Sequence, residues 1–537
     1  MSTKVVLFGL DGATYTVLDD LVRRGVMPYL GSFMERGVRA SLMSTIPHLT
    51  PPAWTTLVTG RSPGVHGVTN FLQYQSPDSP YVRVISSREI CCETIWSMVG
   101  RSGGRAGSLN FIAHAPAQKV NGYTLPGWVP WRWVKKHSYP ADLVSRLQTD
   151  LTGFDLKELA MDFSEEEKAI AGATHEDYTP WIDLHIRREL QWFNVLKHQM
   201  VNDPCALTGV VFDGVDKLQH LLWQYLDPSC EPKHPSEEFL RTREHCWDYF
   251  RQLDGFLKEI VELAGPQACV VIVSDHGFTG TEEILYINTW LEQEGFLTWA
   301  PDAEVAPADS QELGDGKPIH LTSFDTTKTK AFASSASSNG IHIPVAGVRG
   351  DAGIAPNEYE SFREELIHAL LTRCVDPQTG EPIITNVWKR EEIFAGPRMN
   401  LAPDLTVGLR DSGFFSVFRG DTVLKRRPVV MGCHHPEGVF LATGRGVRQG
   451  VRLAPLHLLD IAPTLLYAMG LAVPKDLEGA ACVEAWVDEH VEAHPVTFNG
   501  STIIPPHVET AATEDAPYDE EGDAQVMMRL RALGYIE

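Results

Sequence analysis

Residues 4–12 read KVVLFGLDG, an apolar run that stops at Asp11-Gly12. Two later stretches have the same form: LTGVVF at 207–212 before Asp213, and ACVVIVS at 268–274 before Asp275. DLTVGL at 404–409 and GVFLATG at 438–444 extend the series. Runs of this length, apolar at nearly every position, suit strands buried on both faces, as in a parallel sheet. Helix-like segments lie between them at 14–36, 180–200, 236–264, 357–373 and 455–470. The alternation predicts an α/β sandwich with a mostly parallel central sheet and helices on both faces. Ligands in such sheets bind at the carboxyl ends of strands. Asp11 and Asp275 fall there.

The chain has 537 residues, 43 % hydrophobic and 22 % charged, with a formal net charge of −24. That balance fits a folded protein with a large core and excludes wholesale disorder. The acidic balance argues against a dedicated nucleic-acid binder, which would need clustered Lys and Arg to displace counterions. The N-terminal apolar run is too short for a signal-peptide core. No stretch approaches the roughly 20 apolar residues of a membrane span. Nine cysteines without C-x-x-C spacing read as reduced core residues. The expected location is cytoplasmic.

Residues 1–497 read as one catalytic domain with insertions at about 112–180 and 296–350. The first insertion is rich in Trp, Pro and His (GWVPWRWVKKHSYP, 127–140). Residues 498–523 read as an acidic linker, ending in ETAATEDAPYDEEGD (509–523). The helical spacing of Val526, Leu530 and Leu533 predicts that 524–537 docks on the core as a helix. The chain shows no fixed-period repeat and no nucleotide-binding glycine motif.

Residues 44–67 read STIPHLTPPAWTTLVTGRSPGVHG. Thr50, Pro51 and Gly60 punctuate a short helix as N-cap, first helical residue and stop. A hydroxyl at a helix N-terminus also sits at an anion site. Candidate metal ligands form four short clusters: Asp11; Asp216 and His220, whose i, i+4 spacing puts both on one helix face; Asp275-His276; and His434-His435 within GCHHPEG. Taken singly, each has an ordinary structural role as a cap, a surface pair or a turn. Together, their carboxylates and imidazoles suit two sites for zinc or a similar ion.

The stretches FGLDG, TPPAWTTLVTGRSPGVHG, DKLQH, SDHG, GCHHPEG and DIAPTLLYAMG occur in this order from residue 8 to residue 470. In these the chain resembles the alkaline phosphatase superfamily, and within it the type I phosphodiesterase/nucleotide pyrophosphatase group with its bacterial cytoplasmic relatives. The closing RLRALGY (529–535) is similar to the ending of those relatives. The resemblance implies a three-layer sandwich capped by the insertions. It implies Thr50 as nucleophile, one divalent ion on Asp216, His220 and His434, and another on Asp11, Asp275, His276 and the Thr50 oxygen. It further implies cleavage of phosphodiester or nucleotide pyrophosphate bonds through a phospho-threonine intermediate. Zn2+ is the expected metal, with Mn2+ the alternative. Family phosphodiesterases place an Asn after the His-Gly pair to donate to the phosphate, and Asn70 and Asn110 are the candidates.

A sulfatase needs Cys or Ser in a C/S-x-P-x-R context, which Thr50-Pro51-Pro52 does not supply. Cofactor-independent phosphoglycerate mutases use Ser and carry a large domain between the metal clusters. A phosphomonoesterase, or a phosphonate-type hydrolase or phosphomutase, remains the alternative, since the two-metal core serves each. A non-catalytic protein that kept the fold is disfavoured by the complete ligand set. Lys217 reads as exposed, and Trp128, Trp131 and Trp133 as packing beneath an insertion. The acidic surface steers polyanions weakly, so the expected partner is a small anionic phosphate ester and not a nucleic-acid polymer. The sequence leaves the oligomeric state open.

Overall fold

The computed structural model describes residues 4–74, 82–160, 162, 165–166, 168–169, 177–301, 324–347 and 353–500. A nine-stranded sheet runs through its centre. From one edge the strands are Val451–Arg452, Val38–Met43, Glu437–Thr443, Cys269–Val273, Val5–Leu10, Leu207–Phe212, Ala106–Leu109 and Gly122–Leu125; Leu456–His457 also pairs with Val38–Met43. The central strand Val5–Leu10 is parallel to both neighbours. Leu10 lies opposite Phe212, and Gly9 opposite Val273. Asp11, Asp213 and Asp275 therefore leave the sheet at one end. All residues of these three strands are buried, as their apolar runs require.

Helices form the outer layers. Pro28–Arg36, Thr179–Asn202, Gly214–Leu226 and Glu237–Ala264 pack as one group. Thr50–Thr59, Ile95–Arg101 and Ile461–Ala468 form another. Gly9 lets the Thr50–Thr59 helix approach the sheet closely, because a Cβ there would come within 2.6 Å of the Trp54 ring. The segment 14–36 is two helices, Tyr15–Arg23 and Pro28–Arg36. The segment 455–470 is a short strand followed by Ile461–Ala468.

Two expected strands take other roles. Glu437–Thr443 is antiparallel to both its neighbours. Leu405–Leu409 lies outside the central sheet and pairs antiparallel with Ile384–Lys389 and Gly340–Ile341. An apolar run reports burial on two faces; it carries no information about strand direction or about which core it enters. This smaller sheet packs with Ile287–Gln293 and Tyr359–Arg373 around a second core that includes Trp290, Leu366, Leu370 and Leu405. That core collects side chains from Leu285 to Val417, a wider span than 296–350. In the 112–180 stretch, Val134, Leu143, Leu147 and Leu159 join the main core. The C-terminal helix expected at 524–537, and the linker beyond residue 500, lie outside the described residues. No helix among the described residues is long and apolar enough to cross a membrane. All nine cysteines are unpaired, and seven are buried.

His66 closes the turn after the Thr50–Thr59 helix and is fully buried. Val68 N–H donates to its Nδ1 at 3.1 Å, so the ring proton sits on Nε2, 3.0 Å from Thr56 Oγ1. Burial depresses its pKa from 6.5 to about 3. The unfolded chain takes up a proton that the folded chain refuses, so stability falls as pH drops below about 6.5. Between about pH 7.5 and pH 5, wild type should lose about 2 kcal/mol more stability than His66→Gln, measured by urea unfolding.

Candidate metal centre

Asp11 ends the central strand and turns directly into Gly12, whose φ of 68° lies in the left-handed region. The turn lets Gly12 N–H donate to Asp275 Oδ1 at 3.2 Å, while Gly12 O accepts from Gln219 Nε2 at 2.8 Å. Asp216 and His220 share one face of the helix Gly214–Leu226, as their spacing predicts. Asp275 and His276 follow the strand Cys269–Val273. His434 lies near the end of a strand, Leu424–His435, where it pairs with Phe278. Its placement is therefore fixed by a ladder and not by a loop.

Thr50 is the first residue of the helix Thr50–Thr59, and Leu49 occupies the cap. The expected N-cap role is displaced by one residue, and the hydroxyl stands at the first helical position. It instead lies 3.2 Å from His276 Nε2. Pro51 and Pro52 lack N–H groups, so in the first three positions of this helix only Thr50 N–H can meet an anion.

The seven candidate ligands converge. His276 Nε2 is 3.4 Å from Asp275 Oδ2 and 3.5 Å from Asp11 Oδ1. Asp216 Oδ1 is 3.2 Å from His434 Nε2 and 3.4 Å from His220 Nε2. The two imidazole Nε2 atoms of His220 and His434 are 3.2 Å apart. The His276 and His434 rings stack with centroids 3.6 Å apart, joining the two halves. Asp11, Asp275 and His276 form one group with ligand atoms within 4.8 Å of one another, and Asp216, His276 and His434 form a second.

The protonation pattern fits cations. His276 Nδ1 faces Gly277 O at 3.0 Å, and His434 Nδ1 faces His48 O at 3.0 Å. A carbonyl only accepts, so both Nδ1 atoms carry the proton and both Nε2 atoms turn a lone pair inward. Those lone pairs meet carboxylate oxygens that are themselves acceptors. Both oxygens of Asp11, and Oδ2 of Asp275, are buried without a hydrogen-bond partner. Such an arrangement is costly unless a positive charge sits between the groups. A carboxylate–imidazole donor set suits a divalent cation.

Burial, and then the charges of Asp275 and Asp216, hold Asp11 well above the usual carboxylate range. Asp275 is pushed up to about 8, chiefly by burial, with Asp216 adding to it. Burial would also raise Asp216, but the Lys217 ammonium, His220 and His434 together outweigh it and hold that carboxyl well below the usual range. Burial lowers His276 well below its ordinary value and His434 to about 4, so both rings are neutral near pH 7, as ligands must be.

Neither asparagine makes a contact with these seven residues among the described hydrogen bonds. Asn70 Oδ1 accepts from Phe71 N–H at 2.7 Å and from the Ser337 hydroxyl at 3.3 Å. Asn110 is buried at the end of Ala106–Leu109 and donates from Nδ2 to Val211 O at 2.8 Å. That bond uses one of its two amide hydrogens. Lys217, expected at the surface, is fully buried. Its Nζ donates to Asp216 Oδ2 at 2.6 Å and sits 4.2 Å from the Trp128 ring centroid. Trp128 stacks on Phe71, whereas Trp131 and Trp133 are half-buried. The His48 carbonyl and Gln219 were absent from the sequence candidates. A backbone carbonyl leaves no sequence signal, but Gln219 was findable, three residues after Asp216 on the same helix face.

A profile of the type I phosphodiesterase / nucleotide pyrophosphatase family matches residues 5–431. The match stops just short of His434, which the geometry nonetheless brings to the other ligands. Among solved structures, human ectonucleotide pyrophosphatase / phosphodiesterase 5 has a similar fold, with TM-score 0.51 and 14 % identity over 91 % of this chain and 99 % of its own. Phosphonoacetate hydrolase from Sinorhizobium meliloti, solved with phosphonoacetate, has TM-score 0.50 and 15 % identity over 87 % of this chain and 95 % of its own. No curated protein matches the chain in sequence.

Proposed function

The chain belongs to the type I phosphodiesterase / nucleotide pyrophosphatase family, and from that premise we propose that it is a two-metal phosphohydrolase cleaving phosphodiester or nucleotide pyrophosphate bonds of a small substrate. One observation carries this reading: inward-facing imidazole lone pairs and partnerless carboxylate oxygens converge beside the buried Thr50 hydroxyl. Asp216, His220 and His434 would hold one divalent cation. Asp11, Asp275, His276 and the Thr50 oxygen would hold the other. When bound, the ions polarise a phosphoryl oxygen and make a hydroxyl nucleophilic near neutral pH.

The chain's own residues account for the rest. The rigid start of the Thr50–Thr59 helix presents Thr50 Oγ1 for attack on phosphorus. A bond forms between Oγ1 and phosphorus as the bond to the leaving oxygen breaks. Water then attacks the same phosphorus, and Thr50 departs. The Gly277 and His48 carbonyls hold the His276 and His434 rings in register. Thr50 N–H and Asn70 Nδ2 are the proposed donors to the phosphoryl oxygens. We place the protein in the cytoplasm, with no nucleic-acid polymer as partner.

A panel of aryl phosphodiester, phosphomonoester, phosphonate ester and sulfate, assayed with Zn2+ and with Mn2+, tests the substrate class. The diester should exceed every other substrate in kcat/KM by at least about tenfold, about 1.4 kcal/mol of transition-state discrimination. Faster turnover of the monoester or the phosphonate would overturn the diester assignment. Absence of any turnover, with no metal bound, would favour a binding protein.

A further inference from the structure

Asp216 is divided between two environments. Its Oδ1 faces the imidazoles of His220 and His434, and its Oδ2 accepts from the buried Lys217 ammonium at 2.6 Å. The Trp128 ring, 4.2 Å from Nζ, covers that ammonium, and Trp181 Nε1 donates to the Lys217 carbonyl at 3.1 Å, pinning the helix at this residue. Asp11 on the other side has no such partner: both of its oxygens lack a hydrogen bond. The two halves of the centre thus differ in a way that ligand identity alone does not reveal.

We propose that Lys217 is a positioning residue that restricts Asp216 to one ligating oxygen and loosens the hold of the Asp216–His220–His434 site on its cation. This rests on the two-cation reading above. The ammonium acts in two ways. It occupies Oδ2, so Asp216 cannot swing to bind an ion through both oxygens. It also keeps a positive charge beside the cation, which weakens binding at that site relative to the one built on Asp11 and Asp275. Removing the charge should therefore tighten metal binding, whereas loss of a purely structural residue would weaken it.

The experiment uses the full chain, stripped of metal and titrated with Zn2+ against a chromophoric chelator. Wild type should take up two ions with unequal affinity. In Lys217→Met and Lys217→Gln the weaker site should tighten by at least about tenfold, as removal of a unit positive charge beside a divalent cation requires. Lys217→Arg should stay within about threefold of wild type. Lys217→Gln carries the test if Lys217→Met fails to unfold cooperatively. Unchanged or weaker binding in the folded neutral variants overturns the proposal, as does Lys217→Arg behaving like them. A wild-type protein that takes up no second Zn2+ overturns the two-cation reading and the proposal together.

Discussion

Thr50→Ala should lower kcat for an aryl phosphodiester by about 10³-fold or more while both cations remain bound. The Thr50 hydroxyl, 3.2 Å from His276 Nε2, is removed by this change, whereas its backbone N–H stays. The seat of the residue is set by other features. Pro51 and Pro52 fix the first turn, and the buried helix packs on the sheet through Trp54. The alanine variant should therefore fold and retain its metal, and the loss should appear in kcat. Steady-state kinetics paired with metal analysis checks this. Activity within about tenfold of wild type would remove Thr50 from its role.

Asp11→Asn should have effects of opposite sign on activity and on metal-free stability. Asp11 is buried among Asp275 and Asp216, and neither of its oxygens has a hydrogen-bond partner. Without metal, its charge is a liability. Because burial and those neighbours raise its pKa in the folded state, stability of the metal-free protein falls as pH rises above about 4. An asparagine carries no charge. The metal-free variant should gain about 1–3 kcal/mol at pH 8, read as a higher Tm, with a smaller gain at pH 5. Hydrolysis should be lost, because one site keeps only one of its two carboxylates. A metal-free variant less stable than wild type at pH 8 would contradict this electrostatic account.

These expectations rest on features of unequal legibility. Asp11 and Asp275 could be placed from sequence because an apolar strand ends at each, and parallel strands bring their carboxyl ends together. Asp216 and His220 could be paired because helical spacing is local. Lys217 was misread because its burial depends on Trp128, which arrives from a distant segment. Local composition treats a lysine as exposed unless told otherwise. Thr50 followed the pattern of an N-cap, yet its hydroxyl is directed to a histidine 226 residues away. Asn110 stands just past a strand end, and its Nδ2 donates to the Val211 carbonyl of a neighbouring strand. The strand Leu405–Leu409 had the right pattern and the wrong sheet. In each case the deciding partner is remote in sequence, and local periodicity contains no record of it.

The proposed route carries the phosphoryl group through Thr50 in two displacements. The stereochemistry of hydrolysis of a chiral phosphorothioate diester in 18O-labelled water, which leaves four distinct groups on the product phosphorus, tests it most directly. Each in-line attack inverts phosphorus, so transfer to Thr50 followed by attack of water should give net retention of configuration. Net inversion would mean that water attacks the substrate directly, and it would contradict the account.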